Sequence, residues 1–320
     1  MEKLNQAIGG YFDLELSKGS EYYPDAIALN TARNALEYIL TAKNYSKVFI
    51  PYFTCDVVLE PFNKLKIDYE FYKVDKNLEP IFDYDIISDD QAFLYTNYFG
   101  IKDDFCETVS KKVKNLIVDN AQAFYSKPID KVATFYSPRK FFGVSDGAYL
   151  YNVKTLPNNF EQDVSDNRMA HLLKRADTTA EDGYQDFAIN DKSLEGESIK
   201  IMSKITKKIL ESIDYEKARK QRIENFNHLH RVLKDQNFLH IAISDNSVPM
   251  VYPFWSKKEL RSKLLENKIY SAKYWPNVYN WCEKDSLEVQ LTDELIHLPI
   301  DQRYTKNELD KILNIINNIQ

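Results

Sequence analysis

Residues 115–150 read NLIVDNAQAFYSKPIDKVATFYSPRKFFGVSDGAYL, and the reading of this stretch decides the fold. It opens on the apolar triplet Leu116-Ile117-Val118 and reaches an acid at Asp119. A short apolar run bounded by polar residues is the pattern of a fully buried strand. A carboxylate that closes such a run is presented at the strand's carboxyl end. Gln122 follows three residues later. A second β-rich run, Val132 to Tyr136, delivers Ser137-Pro138-Arg139-Lys140 and then a glycine-containing turn, Gly143-Val144-Ser145-Asp146-Gly147. An acid, an amide, a hydroxyl and an amine are thereby brought to the ends of neighbouring strands. In an open α/β sheet that edge is where ligands bind.

On the amino-terminal side the pattern alternates. Ala26 to Leu29 suits a short strand, and Ala32, Ala35, Leu36, Ile39 and Leu40 then repeat at helical spacing behind Asn30 or Thr31 as N-cap. Lys47 to Tyr52 predicts a strand ended by Pro51, with a helix from Thr54 through Leu65. Asp68 to Val74 and Phe93 to Tyr98 read as two more strands, and 103–113 as a helix. Strands alternating with helices to residue 155 predict an α/β fold with a mainly parallel sheet flanked by helices. Beyond Val153 helical periodicity dominates, over 161–176, 197–213 and 215–236, with GYQDFAINDKS (183–193) read as a loop. The last third predicts strands at Val248 to Phe254, Ile269 to Trp275 and in HLPID, and a helix from Lys257 to Glu266. A terminal helix follows, opened by the capping-box pair Thr305 and Glu308. The expected organisation is an irregular segment over 1–24, a large domain over 25–213, and a smaller α+β C-terminal domain over 214–320.

Composition excludes several classes. The 320 residues are 44% hydrophobic and 28% charged, those of an ordinary globular protein able to bury a large core. A net charge of −6 gives no reason to expect nucleic acid. No apolar run approaches the roughly 20 residues of a membrane span, and the start lacks a signal-peptide pattern, so a cytoplasmic protein is expected. Cys55, Cys106 and Cys282 are scattered, without zinc spacing, and read as free thiols. His228 and His230 share a charged helix without i, i+4 spacing and read as surface residues, so no metal site is expected. Lys174-Arg175 and Lys207-Lys208 could meet a nucleotide's phosphates, but a solvated helix face is the preferred reading. The 22 tyrosines and 18 phenylalanines fit packed strands and an aromatic-lined cleft or interface.

The four groups of the opening stretch suit pyridoxal phosphate. That cofactor needs a lysine amine to condense with its aldehyde and a carboxylate to keep its ring nitrogen protonated. It also needs a donor near its phenolic oxygen and hydroxyl or backbone donors around its phosphate. Lys140, Asp119, Gln122 and Ser137 can supply these in turn. The segments VDNAQAF, FYSPRKFF and SDGAYLY resemble the sugar aminotransferases called the DegT/DnrJ/EryC1/StrS family. The shared pattern is Asp119-x-x-Gln122, Ser137-x-x-Lys140 and a turn after the lysine.

The resemblance implies the aspartate aminotransferase type of fold (fold type I), bound pyridoxal phosphate, and a homodimer whose site takes an asparagine from the partner subunit. Asn190 is the candidate for that asparagine. The cofactor phosphate would lie at the strand-to-helix turn Thr31-Ala32-Arg33, where the family has Ser-Gly-Thr; a hydroxyl is lost here and a cation gained. Where the family has an aromatic residue over the ring, this chain has Cys55, so Phe53 or Tyr52 would stack instead. Asn97 stands where relatives have a histidine. Lys140 would be the catalytic amine, kept neutral by desolvation and nearby positive charge, and Asp119 the partner of the pyridinium. Relatives that dehydrate sugars carry a histidine at the lysine position, so Lys140 favours transamination of a nucleotide-linked keto sugar with an amino-acid donor. A non-catalytic homologue that binds the cofactor or a sugar nucleotide, and a pyridoxal-phosphate enzyme with a non-sugar substrate, are the alternatives.

Overall fold

Alternate residues of the central strands enter two different hydrophobic clusters, one on each side of a single sheet. The computed structural model describes residues 8–244 and 247–318. Its main sheet comprises β1 (Ile27–Leu29), β2 (Lys47–Pro51), β3 (Asp68–Val74), β4 (Pro80–Ile81), β5 (Gln91–Thr96), β6 (Leu116–Asn120), β7 (Ala133–Tyr136) and β8 (Ala148–Tyr151). Their order across the sheet is β1-β8-β7-β6-β5-β2-β3-β4. The pairs β2·β3, β2·β5, β5·β6 and β6·β7 are parallel. β8 runs against β7 and β1 runs against β8, so β1 points the same way as the parallel set. The carboxyl ends of β1, β2, β5, β6 and β7 therefore share one edge.

One face is mainly aliphatic, with Phe135 as the aromatic exception on the central strands. Val48, Ile50, Ala92, Leu94, Ile117, Ala133 and Leu150 pack there against Ala35, Leu36, Ile39 and Leu40 of α1 (Ala32–Lys43). The opposite face is aromatic, with Phe49, Phe93, Tyr95, Tyr136 and Tyr149. It is covered from the C-terminal third by Phe226, Leu229, Tyr252, Phe254 and Leu298. Buried phenols on this face find backbone partners, as when Tyr72 donates to the Leu94 carbonyl at 2.8 Å and Tyr98 to that of Phe53 at 2.9 Å. The tyrosines thus fill volume without leaving polar atoms unpaired. This explains where much of the aromatic content goes.

The remaining helices of the first half are α2 (Leu59–Leu65) and α3 (Asp103–Ser110). After β8 come α4 (Ala170–Asp177), α5 (Ala180–Ser193), α6 (Lys204–Glu211) and α7 (Tyr215–Leu233). The end of the chain holds β9 (Val251–Trp255), α8 (Arg261–Glu266), α9 (Val278–Trp281), α10 (Leu287–Glu294), β10 (Leu295–Pro299) and α11 (Lys306–Asn317). β9 and β10 pair antiparallel as a separate two-stranded sheet. The capping box that opens α11 forms as expected from Thr305 and Glu308. Residues 8–24 have almost no regular structure, in line with the irregular segment; residues 1–7 of that segment lie outside the described residues. Among the described residues no helix is long and apolar enough to cross a membrane.

Four expectations are corrected. The 183–193 stretch is helical, the body of α5, not a loop. Gly183 is there because α4 passes close by: a Cβ at that position would lie 2.8 Å from the His171 carbonyl oxygen. Residues 161–169 and 197–203 are not helical; the first ends in a single 3-10 turn, Asp166–Arg168, ahead of α4. Ile269 to Trp275 is not a strand. Its Ser271 hydroxyl instead bonds β10, donating to the His297 carbonyl and accepting from the His297 N–H, each at 3.1 Å. A side chain here occupies the polar groups that a third strand would have paired. His228 and His230 are half-buried rather than on the surface. The first meets Asp310 at 2.7 Å and the second Tyr252 at 3.3 Å.

The turn after Lys140 closes on Gly147, which has φ +113° and whose N–H donates to the Asn30 carbonyl at 2.5 Å. A Cβ there would stand 3.1 Å from both Pro138 and Thr206. Gly147→Ala is expected to destabilise the protein by about 1–3 kcal/mol through backbone strain, read as a lowered midpoint in thermal or urea denaturation. An unchanged midpoint would mean that this turn relaxes freely.

Candidate active site

Asp119 stands at the end of β6 with its backbone paired to β5 and β7. Its Oδ1 accepts the Ala121 N–H at 2.8 Å, which fixes the carboxylate and leaves Oδ2 for another donor. Burial pushes the Asp119 carboxyl up, and the Lys140 amine opposes that shift. Lys140 ends a 3-10 turn, Pro138–Lys140, directly after β7. The same amine acts on Cys55, whose thiol burial pushes up. Lys140 therefore lies within electrostatic reach of a strand-end carboxylate and a thiol. In the single chain its side chain is exposed, so the desolvation expected for a neutral amine is not present here. The turn projects the residue beyond the sheet edge instead of tucking it into the core.

Gln122 is 1% exposed. Its Oε1 accepts the Phe99 N–H at 3.1 Å, which supports a residue held at φ +56°. Its Nε2 has no hydrogen-bond partner. A buried amide donor left unpaired costs about 1–3 kcal/mol, so something is expected to accept from it. Ser137 is also buried, and its carbonyl accepts the Lys140 N–H at 3.4 Å.

Thr31 is the N-cap of α1, its hydroxyl accepting from the Asn34 N–H at 3.1 Å and donating to the Asn34 side chain at 2.6 Å. The N–H groups of Ala32 and Arg33 open the helix. The Arg33 guanidinium is not free for an anion. It pairs with Glu60 at 2.9 Å and is nearly buried. The extra cation of this turn is thus neutralised within the chain, and only backbone donors remain.

Three residues are engaged elsewhere. Phe53 is fully buried, its ring 4.8 Å from Trp275 and 5.7 Å from Tyr98, so it belongs to the core. Tyr52 stacks on Phe71 at 4.6 Å. Asn97 joins a polar knot: its amide donates to Asp103 at 2.7 Å, Asn120 at 3.1 Å and Ser126 at 3.3 Å, and its Oδ1 accepts the Lys102 N–H at 3.1 Å. Asn97 is thus engaged through both its nitrogen and its oxygen in tying the end of β5 to β6 and to the start of α3. Asn190 points into its own subunit, donating to the Ser145 carbonyl at 2.9 Å, and lines a cavity of about 480 Å3 beside Asp163, Arg168 and Lys200. Asp146, expected only as part of a turn, is fully buried and accepts from Ser203 and Thr206, with Arg168 at 3.6 Å.

Sequence reasoning missed Tyr274. Its ring lies 4.4 Å from His297, and its hydroxyl is pushed up to about 12 by burial and by Cys55, which places it within electrostatic reach of that thiol. Nothing in the sequence singled it out, because its segment reads as a strand and comes near Cys55 only through the tertiary fold.

No family model matches the sequence, and no curated protein does. Solved structures do. A putative sugar aminotransferase, Spr1654 from Streptococcus pneumoniae in its PLP form, superposes with TM-score 0.62 at 16% identity, over 91% of this chain and 86% of that one. A DegT DnrJ EryC1 StrS aminotransferase from Brucella abortus gives 0.59 at 16%, over 91% and 85%. The E. coli GDP-4-keto-6-deoxy-D-mannose-3-dehydratase with bound hydrated PLP gives 0.61 at 13%, over 91% and 87%. The chain has the fold of these proteins. At such identities the likeness speaks for the fold alone, and the chemistry rests on the residues just described.

Because burial raises the Asp119 carboxyl, this group favours the folded state below the ordinary value of 3.8 and that contribution is lost as pH rises through the raised value. Asp119→Asn removes the ionisation and keeps the Oδ1 acceptor. The cofactor-free variant is expected to melt above the wild type at neutral pH, with the gap closing as pH falls toward 3.8. Equal melting across the range would mean that Asp119 is an ordinary solvated acid.

Proposed function

We propose that this chain is a pyridoxal-phosphate-dependent aminotransferase that transfers the amine of an amino acid to a nucleotide-linked keto sugar. The observation that carries the reading is the group at one sheet edge: the half-buried Asp119 carboxylate, the Lys140 amine acting on it, and the unpaired donor of the buried Gln122. Asp119 would accept from the ring nitrogen through Oδ2, Gln122 Nε2 would donate to the phenolic oxygen, and Lys140 would hold the cofactor covalently. The N–H groups of Ala32 and Arg33 and the Ser137 hydroxyl are the candidates for its phosphate, a use of a helix start that favours anions. When bound, the cofactor supplies an electron sink for the pair left on a substrate carbon that loses its proton.

The residues' own work follows from that. Asp119 would have to be ionised to hold a proton on the ring nitrogen, and the positive charge of that ring would offset the carboxylate's desolvation. Lys140 takes the proton from the amine-bearing carbon of the donor and returns one to the sugar carbon. Its exposure in the single chain supports a dimer, in which a second subunit would help to exclude water. The exposed Ile8, Tyr11, Phe12 and Leu14, with Tyr184, Phe187 and Ile189 of α5, offer apolar surface for that contact.

A second reading is a protein that binds the cofactor without turnover. The neutralised Arg33, the buried Phe53 and the inward-facing Asn190 favour it, since each departs from the role expected in the family. The substrate class rests on likeness of fold, which does not fix chemistry.

Purified protein incubated with pyridoxal phosphate is expected to give a visible absorbance that borohydride bleaches, with the fixed adduct mapped to Lys140 by mass spectrometry. Lys140→Ala should abolish it. An adduct on another lysine, or none, would sink the proposal. Turnover with a keto sugar nucleotide separates the two readings. Sedimentation is expected to give a dimer; a monomer that holds the cofactor tightly would count against the shared site.

A further inference from the structure

Arg222 of α7 is the largest fully buried side chain among the described residues, and it has no salt-bridge partner among them. The carboxylate that acts on it, that of Asp301, is already held by Arg303 at 2.7 Å. A cation buried without an ion pair is expensive and must be compensated by hydrogen bonds. Its donors go to three places: Nε to Gln302 Oε1 at 2.9 Å, Nη1 to the Met250 carbonyl at 3.1 Å, and Nη2 to the Phe141 carbonyl at 3.3 Å. The guanidinium also stacks 4.6 Å over the Phe141 ring.

Phe141 directly follows Lys140. Its carbonyl accepts a second bond, from Gln302 Nε2 at 2.9 Å. On the other side of the turn the Phe141 and Phe142 N–H groups both donate to the Pro138 carbonyl at 2.9 Å. The peptide unit that follows Phe141 is thus gripped at both ends, its carbonyl by Arg222 and Gln302 and its Phe142 N–H by Pro138, while the Phe141 N–H ties the unit that leaves Lys140 to the same Pro138 carbonyl. The loop that carries Gln302 is itself fixed, since Asn225, also on α7, donates to the carbonyls of Ile300, Asp301 and Tyr304. A turn as short as Pro138–Lys140 has few internal bonds to set its own orientation.

We infer that Arg222 and Gln302 are positioning residues, through which the C-terminal third aims the Lys140 amine at the sheet edge. The inference rests on the role proposed for Lys140. A structural plug would keep the fold but leave the lysine's chemistry unmoved, and that is the difference to be measured.

Gln302→Met keeps most of the volume and removes one of the two donors on the Phe141 carbonyl. Two readouts are taken on folded protein, checked by circular dichroism. The first is the rate at which Lys140 captures pyridoxal phosphate, amine and aldehyde condensing with loss of water, followed by borohydride fixation and mapping. The second needs no cofactor: competitive labelling of Lys140 with acetic anhydride across pH, with the highly exposed Lys131 as internal reference. Misaiming a reacting group by about 1 Å can cost on the order of 100-fold. Capture by Gln302→Met is expected to be at least about tenfold slower, with the Lys140 labelling profile displaced and that of Lys131 unchanged. Arg222→Met should be slower again, and Arg222→Lys should recover part of the loss.

A folded Gln302→Met with the wild-type capture rate and an undisplaced Lys140 profile would overturn the inference. If Arg222→Met fails to fold, Gln302→Met decides alone. If wild-type protein captures no cofactor, the proposed function fails while the labelling comparison still tests whether Lys140 is aimed.

Discussion

Burial of the main sheet on both faces is the constraint from which the rest follows. A parallel sheet leaves no face to water, so its central strands must be apolar throughout, and polar groups can enter only at strand ends. The two faces are filled differently. α1 lies on the aliphatic side, where alanines such as Ala92 and Ala133 let it approach. The other side carries rings that reach across to the C-terminal third. Because β1, β2, β5, β6 and β7 all point one way, the strand ends that admit polar residues fall along a single edge. Geometry of the backbone, before any chemistry, decides where Asp119, Ser137 and Lys140 can meet.

At that edge the molecule departs from the rule that buried polar groups are satisfied. Gln122 leaves a buried amide donor unpaired, and beside it the half-buried Asp119 has one oxygen without a partner in the chain. A few residues away the knot of Asn97, Asp103, Asn120 and Ser126 gives both the nitrogen and the oxygen of its central amide partners within the chain. The contrast is informative. The knot is architecture, complete in itself, whereas the Asp119–Gln122–Lys140 group is complete only with something added. Asn97 and Gln122 are chemically the same kind of side chain, and only their surroundings tell them apart.

That contrast also marks what could be read in the chain and what could not. The strands and α1 were legible because their apolar periodicity is set by which residues face a core. Asp119 and Lys140 were legible because each follows directly from a strand end. Phe53 and Asn97 were not, because their partners Trp275, Tyr98, Asp103 and Ser126 come together only in three dimensions. Gly183 read as a loop signal, yet it marks a close helix crossing; a glycine in sequence does not say whether the backbone turns or is approached. Ile269 to Trp275 has the composition of a strand but lost its place beside β10 to the hydroxyl of Ser271.

The seating of β1 has a consequence for how the chain acquires its structure. This three-residue strand pairs with β8 and is bridged on its other side by Ile201, while the Asn30 side chain bonds the Ser198 carbonyl and the Lys200 N–H. Its neighbours therefore come from more than 100 residues downstream. Contacts at such separation pay a large loop-closure entropy and form late. During synthesis the helix start formed by Thr31, Ala32 and Arg33 emerges early, but β1 cannot join the sheet until residues 147–150 have left the ribosome, and its other side waits for residues 198–201. The part of the edge suited to an anion is among the first to be made, yet it becomes rigid only after a stretch of more than 100 further residues has followed it.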